Sequence, residues 1–176
     1  MNLRILSSLG LLAILALAVV RDGSAQQPSS CPAPADGQAA VVYVRGAVPQ
    51  ALELSARELE GLRRERVRVV ERDGSTAEYE GVALADVLML AGMDMGSLRG
   101  PQAATVVVAE ARDGYRAVYA LAELDASFSD RRVVLVDRKN GNTLTDQEGP
   151  FRIIMDGESR HSRWIRQVTC LRVERL

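Results

Sequence analysis

Residues 66–92 read Arg66-Val67-Arg68-Val69-Val70-Glu71-Arg72-Asp73-Gly74-Ser75-Thr76-Ala77-Glu78-Tyr79-Glu80-Gly81-Val82-Ala83-Leu84-Ala85-Asp86-Val87-Leu88-Met89-Leu90-Ala91-Gly92, a hairpin followed by a helix. Arg66 to Arg72 alternates, with Val67 and Val69 on one face and Arg66, Arg68 and Val70 on the other, the two-residue period of a half-buried strand. Asp73-Gly74 is a hairpin turn signal, and Thr76 to Glu80 returns as the second strand. Val82, Leu84, Val87, Leu88 and Ala91 then recur at helical spacing, and Gly92 stands where a C-terminal cap glycine belongs.

The pattern extends outward in both directions. Upstream, Val41-Val42-Tyr43-Val44 reads as a strand ended by Gly46. Ser55-Ala56-Arg57-Glu58 has the capping-box pattern before Leu59 and Leu62, so a short helix starts there. Downstream, Thr105–Ala109 and Tyr115–Tyr119 are strands joined by the Asp113-Gly114 turn, and Leu121 to Leu124 is a helical turn. Val133–Val136 is an almost purely apolar run, as expected of a central strand buried on both faces. A polar loop from Arg138 to Pro150 contains Asn140-Gly141, and Phe151–Met155 and Ile165–Val173 close the domain as strands. Short strands mixed with a few short helices predict one α+β domain over residues 40–176.

Two segments precede it. Residues 1–25 have the form of a secretory signal peptide: Arg4, an apolar run from Ile5 to Val20, and small residues Gly23 and Ala25 before cleavage near Ala25. Residues 26–39, rich in Pro, Ser, Gln and Ala, read as a linker. The expected location is therefore the periplasm. Export leaves two states open for Cys31 and Cys170, a disulfide or two free thiols.

Composition narrows the function. The 176 residues carry 22 Lys+Arg against 23 Asp+Glu, with Lys139 the single lysine, so nothing marks a nucleic-acid binder. One histidine, His161, excludes a multi-histidine metal site. The two cysteines, 139 positions apart, have no zinc-finger spacing. There is no G-x-S-x-G elbow, P-loop or dinucleotide fingerprint. A Ser-His-Asp triad would place His161 between Arg160 and Arg163, which oppose the imidazolium it needs.

Four motifs carry a resemblance. Tyr79-Glu80-Gly81-Val82-Ala83-Leu84-Ala85-Asp86-Val87-Leu88 resembles the W-x-G-V-x-L-x-D-L-L segment of sulfite-oxidase-type molybdopterin-binding domains. Asp113-Gly114-Tyr115 resembles that family's D-G-Y. Asn140-Gly141-x-x-Leu144 with Gly149-Pro150-Phe151-Arg152-Ile153-Ile154 resembles its N-G-x-x-L and G-x-P-x-R motifs. Ser162-Arg163-Trp164-Ile165-Arg166-Gln167-Val168 takes the place of its A-R-S-V-K-W-L run. The resemblance spans roughly residues 40–174 and implies that family's α+β fold, with mixed sheets and short helices.

The chain departs from the family where catalytic members hold molybdenum through a cysteine thiolate: Glu71 stands there instead. A carboxylate is a hard donor and a thiolate a soft one. The resemblance therefore points to the small exported, non-catalytic members that bind a free reduced pterin. Those report to the periplasmic domain of a membrane cyclic-di-GMP synthase/phosphodiesterase. On this reading the chain is a monomer with no catalytic or metal-binding residues, and Trp164, Arg163, Arg166, His161, Arg160 and Tyr115 contact the pterin. Trp164 shares strand parity with Arg166, opposite Ile165, Leu171 and Val173, and is expected to point away from the core as a stacking surface. The bland alternative makes Trp164 a core residue and the arginines a solvated face. Glu110 and Asp113 are lesser candidates for pairing with the amino-pyrimidine edge. The alternative function is a molybdopterin-cofactor oxidoreductase with a non-cysteine ligand; a purely structural exported domain is the third.

Overall fold

The structure, a computed structural model, describes residues 31–32 and 40–176. The signal-peptide reading of residues 1–25 and nearly all of the linker lie outside the described residues. The hairpin that opens the sequence argument forms from β3 (Arg64–Val70) and β4 (Thr76–Ala83), with Val67 opposite Tyr79 and Val69 opposite Ala77. These four side chains are buried, and Arg66 and Arg68 face out to Glu80 and Glu78.

The strand persists past Glu80, where the apolar spacing predicts its end. At Gly81 the register against β7 (Val133–Lys139) shifts by a bulge, and Val82 and Ala83 continue pairing with Leu135 and Val134. A β-carbon at Gly81 would lie 2.0 Å from the Leu135 carbonyl oxygen, so the backbones meet here because the residue is glycine. The helix α2 then starts at Leu84 and runs to Leu90.

β7 is the central strand expected of Val133–Val136: those four residues are all buried, between β4 on one side and β9 (Arg152–Met155) on the other. Asn140-Gly141, both with positive φ, turns β7 back into the two-residue β8 (Asn142–Thr143). This sheet has the order β3-β4-β7-β8, with β9 also on β7.

The second sheet is β2-β1-β10-β5-β6, built from β1 (Val41–Gly46), β2 (Leu52–Ser55), β5 (Thr105–Ala111), β6 (Arg116–Ala120) and β10 (Val168–Arg175). β1 runs parallel to β10 and the other pairs are antiparallel. Ser55 caps the helix α1 (Ala56–Glu60) through the expected reciprocal box with Glu58, and α3 is the turn Leu121–Leu124. One apolar cluster joins both sheets, with Tyr79, Tyr119, Phe151 and Ile153 at its centre. The fold is α+β with mixed sheets and short helices, as the sequence implies. Cys31 and Cys170 are joined in a disulfide, with Cα atoms 6.1 Å apart, tying the chain before β1 to β10.

Candidate functional site

Turns from both sheets converge on one open cleft of about 890 Å3. The β3–β4 turn brings Glu71 and Arg72, the β5–β6 turn Asp113 and Tyr115, and the segment after β8 Asp146 and Glu148. The segment before β10 closes it with His161, Trp164 and Arg166. The volume lies within the ~300–1,000 Å3 range of small-molecule sites.

The floor is a charged cluster built on a buried tyrosine. Tyr79 on β4 donates its hydroxyl hydrogen bond to the Glu71 carboxylate and accepts one from Arg152 Nη1 at 2.6 Å. Arg152 Nη1 also donates to Glu148. Lys139 Nζ lies 3.3 Å from Glu71 and 3.5 Å from Glu148, so two cations face two carboxylates. Above the ring of Tyr79 sit Lys139 at 5.3 Å and Arg152 at 5.2 Å, and the Arg152 guanidinium also lies 5.8 Å from the indole centre of Trp164.

These neighbours fix the protonation states. Burial pushes the Tyr79 phenol up to about 12, helped by its hydrogen bond to Glu71. Burial also raises Glu71, but the Tyr79 hydroxyl, Arg152 and Lys139 outweigh it and hold the carboxyl below its ordinary value. Lys139 is lowered by burial and raised more by Tyr79, Glu71 and Glu148, so it stays an ammonium. The floor is thus a neutralised set of fixed charges at ordinary pH. Arg152 Nε is buried without a hydrogen-bond partner.

The wall is an aromatic pair. The His161 imidazole lies flat on the Trp164 indole, with ring centres 3.6 Å apart and planes 6° from parallel. The expectation that Trp164 points away from the core is corrected: it is 6% exposed, belongs to the apolar cluster, and donates its indole N–H to the Met155 carbonyl at 2.9 Å. The parity argument fails because no strand runs through it. Residues 161–163 form a 3-10 turn, Gln167 has φ +50°, and β10 begins only at Val168. Half-buried His161 therefore takes one face of the indole that the sequence assigns to a ligand.

Arg163 is also corrected. Its guanidinium donates to Glu123 at 2.8 and 3.0 Å and to Glu158 at 2.9 Å, lies 5.6 Å from the ring centre of Tyr119, and does not line the cleft. Arg160 lines an adjoining groove rather than the cleft, whereas Arg166 is exposed on the cleft's rim. Tyr115 borders the cleft, half exposed, and its hydroxyl donates to the Ser162 carbonyl at 2.6 Å, so it also holds the turn that carries His161. Asp113 is at the cleft; Glu110 is not, being paired with Arg172 at 2.9 Å.

Sequence reading missed Lys139, Glu148, Arg152 and the role of Tyr79. Signals mark only the two cations: Lys139 is the chain's single lysine, and Arg152 stands inside the apolar run Phe151–Met155, which predicts a buried, paired charge.

The fold and this cleft define a molybdopterin-domain architecture. Residues 31–175 match the family model for the oxidoreductase molybdopterin binding domain, and the chain belongs to that family. A similar solved structure is the sulfane dehydrogenase SoxCD from Paracoccus pantotrophus, 18% identical with a TM-score of 0.60. The match covers 75% of this chain and 37% of that one, and it supports the fold alone. No curated protein matches the sequence.

The residues do not fit the metal half of the family's cofactor. Glu71, at the position the resemblance assigns to a thiolate, is engaged by Tyr79, Lys139 and Arg152. Both cysteines are consumed in the disulfide, and Cys170 is not among the residues lining the cleft. Among the described residues there is no cluster of three His, Cys, Asp or Glu able to hold a metal.

Proposed function

We propose that this chain is an exported, non-catalytic domain that binds a reduced pterin in the cleft and reports its presence to a membrane protein. The observation that carries the reading is the pairing of an intact cleft with a metal-anchoring position taken by Glu71 and neutralised by Lys139 and Arg152. A pterin is a flat, polar heterocycle, and the His161–Trp164 stack offers it the outer face of the imidazole. Stacking of this kind contributes ~1–3 kcal/mol for nucleobases on aromatic side chains. Asp113 and Asp146 on the rim supply acceptors for an amino-pyrimidine edge, and Arg166 supplies a donor for a ring carbonyl.

The periplasmic location rests on the leader-like residues 1–25. The partner, the periplasmic domain of a cyclic-di-GMP synthase/phosphodiesterase, rests on the likeness to small pterin receptors. The protein acts as a monomer on this reading.

Trp164 is the only tryptophan, so its fluorescence reports this site alone. Titrating 7,8-dihydropterin into the purified protein should quench that emission, with matching heat by calorimetry. His161→Leu, which keeps the indole covered but removes the π-face, should weaken binding about 5- to 160-fold, the equivalent of the stacking energy above. Absence of both quenching and heat overturns the reading. So does stoichiometric molybdenum in protein purified from molybdenum-replete cells, which would favour the oxidoreductase.

A further inference from the structure

β6 is an edge strand: its sheet has the order β2-β1-β10-β5-β6, so it pairs with β5 alone. The Ala120 N–H at its end donates to the Glu123 carboxylate at 2.9 Å rather than to β5. In an antiparallel pair the main-chain groups alternate between the neighbouring strand and the open edge. Arg116 and Val118 share the parity of Ala120, so their N–H and C=O groups face the edge as well. Among the described residues no side chain reaches them. On the edge strands β2 and β3 a guanidinium does so: Arg45 Nη1 donates to the Leu52 carbonyl at 2.5 Å, and Arg132 Nη1 to the Arg66 carbonyl at 3.2 Å.

The side chains beside this open edge are of one kind. Arg116, Val118 and Ala120 form an exposed row, with Val118 50% exposed. The cross-strand neighbour of Arg116 is Glu110, but Arg172 holds that carboxylate at 2.9 Å. Arg112, exposed on the β5–β6 turn, also has no ion-pair partner among the described residues. Free main-chain groups next to an exposed valine and two unpaired guanidiniums suit an extended peptide bearing carboxylates: its backbone completes the ladder, and its charge selects it. A lipid surface offers no ladder, and a second β6 would bring another Arg116 to the same edge.

Resting on the reading that this domain reports to another protein, we infer that β6 is the docking edge for an extended acidic segment of that partner, added as a strand outside β5. The edge begins directly after Tyr115, which borders the cleft and donates to the Ser162 carbonyl of the turn that carries His161. A strand docked there sits beside the wall of the ligand site.

The probe is a fluorescein-labelled peptide of alternating Glu and Val, titrated with the mature protein and followed by anisotropy, beside a Lys-and-Val peptide of equal length. The acidic peptide should bind at least about tenfold tighter than the basic one at low salt, with part of that preference lost in about 500 mM NaCl. Val118→Pro removes an outward N–H but no bond to β5, and should weaken the acidic peptide about tenfold while leaving the urea midpoint nearly unchanged. Arg112→Gln/Arg116→Gln should weaken it about three- to tenfold, and Arg99→Gln/Arg131→Gln, on the connections into β5 and β7, less than about twofold. Equal binding of the two peptides, or equal losses from the two arginine pairs, reduces the contact to net charge and overturns the inference. A Val118→Pro variant that folds and binds as tightly as the wild type overturns it too. A dimer of the mature protein that Val118→Pro dissociates would make the occupant a second copy, which also overturns it. None of these substitutions falls on a residue lining the cleft, so Trp164 quenching by 7,8-dihydropterin is a separate readout. Quenching without peptide binding overturns this inference alone, and peptide binding without quenching overturns the pterin reading alone.

Discussion

Replacing Arg152 by Leu tests the charged floor of the cleft. The Arg152 side chain is 7% exposed, and its partners Glu148 and Glu71 are 17% and 16% exposed. Taking one partner from a buried ion pair costs ~3–5 kcal/mol, because the other charge is left buried and unpaired. Lys139 remains 3.5 Å from Glu148 and 3.3 Å from Glu71, and both carboxylates keep some water. The expected loss is therefore at the low end, about 3 kcal/mol. That lowers the melting temperature by about 6–12 °C, at ~2–4 °C per kcal/mol for domains of this size. Urea unfolding followed by far-UV circular dichroism is the assay, since Trp164 fluorescence would itself respond to the loss of the nearby guanidinium. The double variant Arg152→Leu/Glu148→Leu removes one charge of each sign and should regain at least half of the loss. A single-variant loss under about 1 kcal/mol would place the cluster with solvent-screened surface pairs. A double variant no better than the sum of the two singles would refute the coupling between them.

Three further outcomes follow from the same geometry. Tyr79 ionises at about 12 in the fold against 10.0 ordinarily, so the stability it contributes is complete below pH 10 and is lost as pH rises through 12. That loss is about 2–3 kcal/mol; Tyr119, also raised by burial, acts in the same direction, and a urea midpoint flat across this window would refute both. Gly81→Ala drives a methyl to within 2.0 Å of the Leu135 oxygen and 2.5 Å of Val136 Cα, both backbone atoms, and should cost at least about 3 kcal/mol; a loss under about 1 kcal/mol in urea would show that β4 and β7 can separate there. Cys31→Ser opens a link between residues 139 apart and should cost about 2–4 kcal/mol; dithiothreitol should reproduce that loss in the wild type and do nothing to the variant, and an unchanged urea midpoint would refute it.

What the sequence disclosed divides along physical lines. The β3–β4 hairpin, the Ser55 cap and the buried β7 were legible because each is set by local chemistry: a two-residue period, a side chain reaching its own backbone, an uninterrupted apolar run. The motifs around Gly149-Pro150 and Asp113-Gly114-Tyr115 carried the family. Strand parity does not place Trp164, because it caps the 3-10 turn of residues 161–163 and the positive φ of Gln167 breaks the alternation before β10 begins. Arg163 was misassigned because its partners, Glu123 and Glu158, are brought to it by tertiary contacts that spacing does not reveal. The floor escaped for the same reason: Glu71, Tyr79, Lys139, Glu148 and Arg152 come from β4, β7, β9 and two connecting segments. Only the oddity of a lone lysine and of a cation in an apolar strand hinted at it.

A carboxylate at Glu71, where the resemblance places a thiolate, is less disruptive than the difference of donor atom suggests. Tyr79, Lys139 and Arg152 together form a pocket that stabilises one negative charge at position 71, whatever atom carries it, and the lowered ionisation of Glu71 expresses that demand. A carboxylate meets the demand and accepts from the Tyr79 hydroxyl, so the floor stays neutral without a soft donor. An apolar residue at 71 would instead leave a phenolic donor without its acceptor and two cations sharing the single carboxylate of Glu148, a cost the fold would carry in every molecule. The electrostatics of the cleft therefore select an anion at this position independently of any metal. On the proposed reading, that independence is what lets the cleft keep its floor without a metal anchor at position 71.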